Sequence, residues 1–297
     1  MQTVARRLKA TIMPLMRFMP IRFLARFLLS PRPDVAFFYL LRLLASNATG
    51  LPFKARCSLV FRLFKIDDNV ENLHSLEEYF IPIYSILCMP DSIKGCVVEA
   101  GAYKGCGTAK LSVACKLAGR KLYVLDSFEG LPDNDEPTAH TSLGYSCEFN
   151  KGEYCGALEE VIANVKTYGE IDVCSFIKGY FKNTCPTFSE PVAVMFCDVD
   201  LASSYKDLLQ HLWLQVSPGG RVYSQDAHIP LVCDVLQDAY FWRDKCTTEP
   251  PPRLSRYTKR FGVLCKNLSQ EITRDYTLSS NEVSEIYNNG AGRFYTP

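Results

Sequence analysis

Three observations predict a doubly wound α/β fold, a mostly parallel sheet covered by helices, with a helical N-terminal extension. Short apolar runs alternate with longer helical segments over residues 93–270, a glycine-rich turn follows the first run, and carboxylates sit at the ends of several runs. Strands that alternate with helices build βαβ units and hence a parallel sheet. The expected strands are Gly95–Ala100, Lys121–Asp126, Asp172–Ile177, Val192–Asp198 and Gly220–Ser224, with Phe261–Lys266 as one further strand. Between them lie Thr108–Leu117, Ala157–Tyr168, Ser203–Val216 and Leu231–Trp242, each long enough for a helix. Ser217-Pro218-Gly219-Gly220 reads as a breaker between the fourth helix and the fifth strand. Residues 1–92 read as a helical extension, with Leu76–Cys88 closed by Pro90, and 271–297 as a polar tail.

The composition fits a globular chain: 297 residues, 47% hydrophobic and 22% charged. A net charge of +1 supplies no field to recruit nucleic acid, which is excluded as a partner. The thirteen cysteines show neither CxxC pairs nor zinc-ligand spacing, so they read as mostly buried thiols in a reducing, cytoplasmic setting. Residues 1–33 carry seven basic residues and no acid among apolar ones, but no apolar run long enough to span a bilayer. Such a stretch either packs on the domain or on a partner subunit, or lies peripherally on an anionic membrane; packing is expected, and with it a homo-oligomer.

In an open parallel sheet the ligand sits at the carboxyl ends of the strands. There the first strand runs into Glu99-Ala100-Gly101-Ala102-Tyr103-Lys104-Gly105-Cys106-Gly107-Thr108. A glycine-rich turn lets the backbone approach a ligand and opens onto a helix N-terminus. The order is GxxxGxG, not the GxGxxG of dinucleotide folds, and Glu99 precedes it. This arrangement resembles the first motif of S-adenosylmethionine methyltransferases, whose sulfonium and amino-acid ends suit a carboxylate near the turn. Asp126 ends the second strand, where a carboxylate can accept hydrogen bonds from both ribose hydroxyls or, more simply, cap a turn.

The fourth strand ends in Asp198-Val199-Asp200 and the fifth in Gln225-Asp226. Adjacent strands would bring these four to one rim, where oxygen donors suit Mg²⁺ or Mn²⁺. Helix capping explains Asp200 alone but not the set.

Asp126-Ser127-Phe128-Glu129-Gly130-Leu131-Pro132, together with the Glu99 loop, IKGYFKNTCP at 177–186, the DVD and the SPGG turn, resembles the macrocin O-methyltransferase family over roughly residues 72–245. The resemblance implies a Rossmann-like class I methyltransferase fold, S-adenosylmethionine held by Glu99, Gly101, Tyr103, Gly105, Gly107, Thr108, Asp126, Ser127 and Phe128, and a Mg²⁺-dependent transfer to a sugar or other natural-product hydroxyl. It implies Asp198 and Asp226 as metal ligands and Asp200 as base. Gln225 stands where the family carries a second aspartate; its amide oxygen can ligate a hard cation but adds no charge. The polar segment Asp133–Gly152 reads as a lid, and its His140 as a candidate second base or a solvated loop histidine. Two other readings remain. One is an NAD-dependent oxidoreductase, against which the glycine order argues. The other is a non-catalytic membrane-associated binding protein that kept the fold, against which the intact carboxylates argue.

Overall fold

A computed structural model describes residues 35–251, 253–254 and 261–266. The basic stretch at 1–33 and the tail at 271–297 lie outside the described residues, and with them the membrane and packing readings of the N-terminus.

Helices α1 (Val35–Ala45), α2 (Phe53–Asn69) and α3 (Leu76–Cys88) precede the sheet. Then follow β1 (Cys96–Ala100), α4 (Cys106–Leu117), β2 (Leu122–Asp126), a small hairpin of β3 (Ala139–His140) and β4 (Ser146–Cys147), α5 (Leu158–Tyr168), β5 (Cys174–Lys178), the short α6 (Phe181–Thr184), β6 (Val192–Cys197), α7 (Ala202–Leu212), β7 (Val216–Ser224), α8 (Pro230–Gln237), α9 (Ala239–Asp244), β8 (Arg253–Leu254) and β9 (Gly262–Cys265). The main sheet has seven strands in the order β5-β2-β1-β6-β7-β9-β8. Its first five are parallel; β9 runs antiparallel to β7, and β8 antiparallel to β9. The chain leaves β1 toward β2 on one side and returns to β6 on the other. The switch point therefore lies between the carboxyl ends of β1 and β6.

Strand pleating explains how one sheet serves two cores. Val97, Val124, Val194 and Phe196 face one side and pack with α1 to α5; Val98, Leu125, Met195 and Cys197 face the other and pack with α7, α8 and α9. Both faces are covered, so β1 and β6 are buried along their full length and are almost continuously apolar. Helices α1 to α3 share the first core with the sheet, so the described part of the extension, from residue 35 on, packs against it. A buried ion pair also joins them: Lys110 of α4, fully buried, reaches Asp67 of α2 at 2.6 Å, with its ammonium 4.4 Å from the Tyr79 ring centroid.

Three expected boundaries move. The SPGG turn does not separate helix from strand. β7 begins at Val216, and Gly219, at φ 80°, lets the backbone bulge while its N–H donates to the Lys266 carbonyl at 2.7 Å. The helix expected over Leu231–Trp242 breaks at Asp238, whose carboxylate accepts from the N–H groups of Tyr240 and Phe241 and starts α9 afresh. The segment Asp133–Gly152 is not wholly irregular, since it folds back as the β3–β4 hairpin.

All thirteen cysteines are free and most are buried. No helix among the described residues is long and apolar enough to cross a membrane.

Candidate active site

The rim at the switch point is held by backbone bonds that continue the sheet past its strands. Gly101 N–H donates to Leu125 O at 3.0 Å, Asp198 N–H to Ala100 O at 2.9 Å, and Gln225 N–H to Cys197 O at 2.8 Å. Gly101 has φ 89°, and a Cβ there would lie 1.8 Å from the Asp198 carbonyl oxygen, so only glycine lets the two chains pass this closely. A cavity of about 470 Å³ opens on this rim, within the range of small-molecule sites.

One end of the cavity is the glycine turn and the end of β2. Asp126 accepts from Ala102 N–H and Phe128 N–H, both at 2.6 Å, and so ties the loop after β1 to the turn after β2. Burial pushes its carboxyl up and these backbone donors pull it down; the balance is raised. A carboxylate oxygen has two lone pairs, so Asp126 can serve this turn and still accept from a ligand. Gly101, Tyr103, Gly107, Asp126 and Ser127 line the cavity.

Glu99, Gly105, Thr108 and Phe128 do not reach it. Glu99 is 1% exposed and lies beneath the turn, its Oε1 2.7 Å from where a Cβ on Gly107 would stand. Burial pushes its carboxyl up to about 8, against the pull of Thr108. Gly105, at φ 83°, packs on Val161; Thr108 is buried within α4; Phe128 is buried against Phe176. Ser127 Oγ donates to Gly130 O at 2.7 Å, and Tyr103 OH donates to Glu71 Oε1 at 2.8 Å, so both also hold loops in place.

The other end is acidic. Asp198, Asp200 and Asp226 each offer an oxygen, and these oxygens all lie within 4.8 Å of one another. Asp226 is buried; its Oδ2 accepts from the N–H groups of Val199 and Asp200 and from Tyr205 OH, all at 3.0 Å. Burial, then Asp198, raises the Asp226 carboxyl to about 7 even so. Asp200 is raised well above the usual carboxylate range, through burial and the charges of Asp226 and Asp198, and its backbone is left-handed at φ 59°. A left-handed aspartate among like charges makes this rim a candidate functional site. Three converging carboxylate oxygens suit a hard divalent cation, which would relieve their repulsion.

Gln225 is buried and off the cavity wall. Its Nε2 donates to Glu78 Oε2 at 3.1 Å and lies 2.9 Å from His74 Nδ1, while its Oε1 has no partner among the described residues. That buried oxygen, on the residue next to Asp226 in the chain, is left free to accept. His140 lies on the exposed face of the hairpin, bonded to Ser146 Oγ at 2.8 Å, and does not line the cavity. The hairpin contributes Tyr145 instead, whose hydroxyl is 2.7 Å from His228 Nε2 in the loop after β7.

Sequence reasoning missed His74. Its Nε2 is 2.7 Å from Asp198 Oδ2. Burial resists charge on the ring, but Asp198, Glu78 and Asp226 favour it, and the balance sets its affinity for a proton high, at about 9. With the Gln225 amide donating to Nδ1, the bonds are those of the neutral ring; a proton on Nδ1 requires that amide to turn over. The one sequence signal is the S-x-x-E box Ser75–Glu78, which starts α3 directly after His74.

A profile of the Macrocin-O-methyltransferase (TylF) family matches residues 84–250. The chain belongs to the macrocin O-methyltransferase family. Family relatives include the 8-demethyl-8-(2,3-dimethoxy-alpha-L-rhamnosyl)-tetracenomycin-C 4'-O-methyltransferase of Streptomyces olivaceus, 31% identical over 50% of this chain and 59% of that protein. The mycinamicin III 3''-O-methyltransferase of Micromonospora griseorubida is 31% identical over 52% of this chain and 63% of that protein. The matches thus span about three-fifths of the relatives' length. The O-methyltransferase NovP shares the fold, with a TM-score of 0.54 at 22% identity over 66% of this chain and 84% of that one.

Proposed function

We propose that this chain transfers a methyl group from S-adenosylmethionine to a hydroxyl of a small natural-product acceptor, with a divalent cation assisting. The observation that carries the reading is that Asp126 and the glycine turn share one cavity with the Asp198, Asp200 and Asp226 oxygens. The first end suits a nucleoside; the second suits a cation and an alcohol that must lose its proton. When bound, S-adenosylmethionine supplies an electrophilic methyl on a sulfonium, and Mg²⁺ or Mn²⁺ stabilises an alkoxide.

The residues divide the remaining work. Asp126, with the N-terminal turn of α4 at Cys106 and Gly107, would hold the nucleoside side. Asp198 and Asp226 would hold the cation, with Gln225 Oε1 as a neutral third donor. Asp200 would take the hydroxyl proton, a task its raised carboxyl affinity for protons suits. Tyr145, Phe149, Tyr154, Tyr180 and Phe181 give the cavity apolar walls on which an acceptor ring can rest while its hydroxyl meets the carboxylates. The relatives are named for O-methylation of a rhamnosyl-tetracenomycin and of mycinamicin III, which supports a hydroxyl of a small natural product.

The test is direct. S-adenosylhomocysteine should bind the full chain in calorimetry where NAD does not. A panel of glycosylated acceptors should then be methylated, with turnover lost in EDTA and restored by Mg²⁺ or Mn²⁺. Full turnover in excess EDTA, unaffected by Asp198→Ala, removes the cation from the mechanism.

A further inference from the structure

Glu78, Gln225, His74 and Asp198 form an unbroken hydrogen-bonded line from helix α3 to the acidic rim. Gln225 Nε2 is 3.1 Å from Glu78 Oε2 and 2.9 Å from His74 Nδ1, and His74 Nε2 is 2.7 Å from Asp198 Oδ2. Both ring nitrogens are occupied, so His74 is not a base for the acceptor. Carboxylates only accept, so the Gln225 amide must turn its nitrogen toward Glu78, and that leaves its Oε1 as the unpartnered atom.

We propose that His74 is a positioning residue of the active site: held by Gln225 and Glu78, it fixes the Asp198 carboxylate for the cation, and the Gln225 amide supplies the hydrogen that Glu78 accepts. This rests on the cation-assisted reading above. A carboxylate at 225 would face Glu78 across the same short gap with no hydrogen to place between them. The departure from the family's paired aspartates is therefore compensated, with the N-terminal extension supplying the compensating residues. Partners that orient a metal ligand typically set affinity by about 10–100-fold.

Mn²⁺ binding to the full chain, followed by electron paramagnetic resonance without any acceptor, tests this. His74→Ala should weaken Mn²⁺ binding by about 10–100-fold, and His74→Gln, which keeps an N–H donor at the same reach, should recover part of the loss. Gln225→Glu keeps the carbonyl oxygen and adds a charge, yet should weaken binding because it removes the donor. The two losses should be non-additive when combined, since each breaks the same line. Unchanged affinity in His74→Ala overturns the proposal. So does tighter binding there, the result if the ring merely competes with the cation for Asp198. Tighter binding in Gln225→Glu, the result if ligand charge is all that matters, also overturns it. A wild-type chain that binds S-adenosylhomocysteine but no Mn²⁺ overturns both this proposal and the cation reading. Loss of Mn²⁺ affinity confined to variants that have also lost their folded melting transition counts against it, because His74→Gln should fold.

Discussion

At the scale of single residues, the site is a set of carboxylates in different surroundings. Asp126 is tied into two turns by backbone donors, so its removal affects both the ligand and the loop. Asp126→Asn keeps the size and one acceptor oxygen; it should weaken S-adenosylhomocysteine binding in calorimetry by roughly 10-fold or more, the worth of a charged hydrogen bond. Unchanged affinity would exclude Asp126 from the ribose. Asp200→Asn should slow turnover by ~10²–10⁴-fold while leaving Mn²⁺ affinity within a few-fold, as expected of a positioned base. Equal losses in both would make Asp200 a ligand instead. Glu99 gives a pH test. Its carboxyl stands at about 8 in the fold against 4.5 in the open chain. The folded state therefore holds the proton that the unfolded chain releases, so this contribution to stability is complete below pH 4.5 and is lost as pH rises through about 8. Between those values it should cost up to about 1.4 kcal/mol per pH unit. Glu99→Gln should flatten that slope in urea unfolding series run at several pH values; an unchanged slope would show that Glu99 is already charged in the fold.

At the scale of elements, close approach decides the geometry. α4 starts against β1 and α3 with no space to spare. A Cβ on Gly107 would stand 2.5 Å from Tyr79 OH and 2.7 Å from Glu99 Oε1. Gly107→Ala should therefore destabilise the chain by about 1–3 kcal/mol, as overpacking does; an unchanged urea midpoint would mean that α3 yields without cost. The junction of α2 and α4 rests on the Asp67–Lys110 pair, in which the lysine is fully buried. Asp67→Ala leaves that ammonium without its carboxylate and should cost about 3 kcal/mol, the low end for a broken buried pair because Asp67 itself keeps some contact with water. Joint replacement, Asp67→Leu with Lys110→Met, should restore most of the loss in the same unfolding experiment.

Across the whole molecule, ligand binding and folding are linked through the extension. Residues 71–74 and Tyr79 line the cavity, and α1 to α3 share their core with the sheet, so the loop between α2 and α3 and the start of α3 are part of the site's wall. S-adenosylhomocysteine at about 100 times its Kd should add about 2.7 kcal/mol to the folded state and raise Tm by roughly 5–10 °C. The absence of any shift for a ligand that calorimetry shows to bind would mean that the unfolded chain binds it too.

The sequence by itself determined the frame. Short apolar runs between helical segments marked five parallel strands and the helices between them, and glycine order with strand-end acids placed Gly101, Asp126, Asp198, Asp200 and Asp226 on one cavity. These are local facts: a strand's end and the residue after it are fixed by hydrophobic pattern and turn chemistry. Only the tertiary structure decided which neighbours stand behind the wall. It buried Glu99 and Thr108 beneath the turn, because side chains on a pleated strand or on a helix's inner face point into the core. It left His140 on the outer face of a hairpin that no periodicity announces. It also brought His74 and Glu78 to Gln225. No local pattern carries that pairing, since it depends on how α3 packs across the sheet, and packing joins residues far apart in the chain through shape and hydrogen bonding rather than through sequence order.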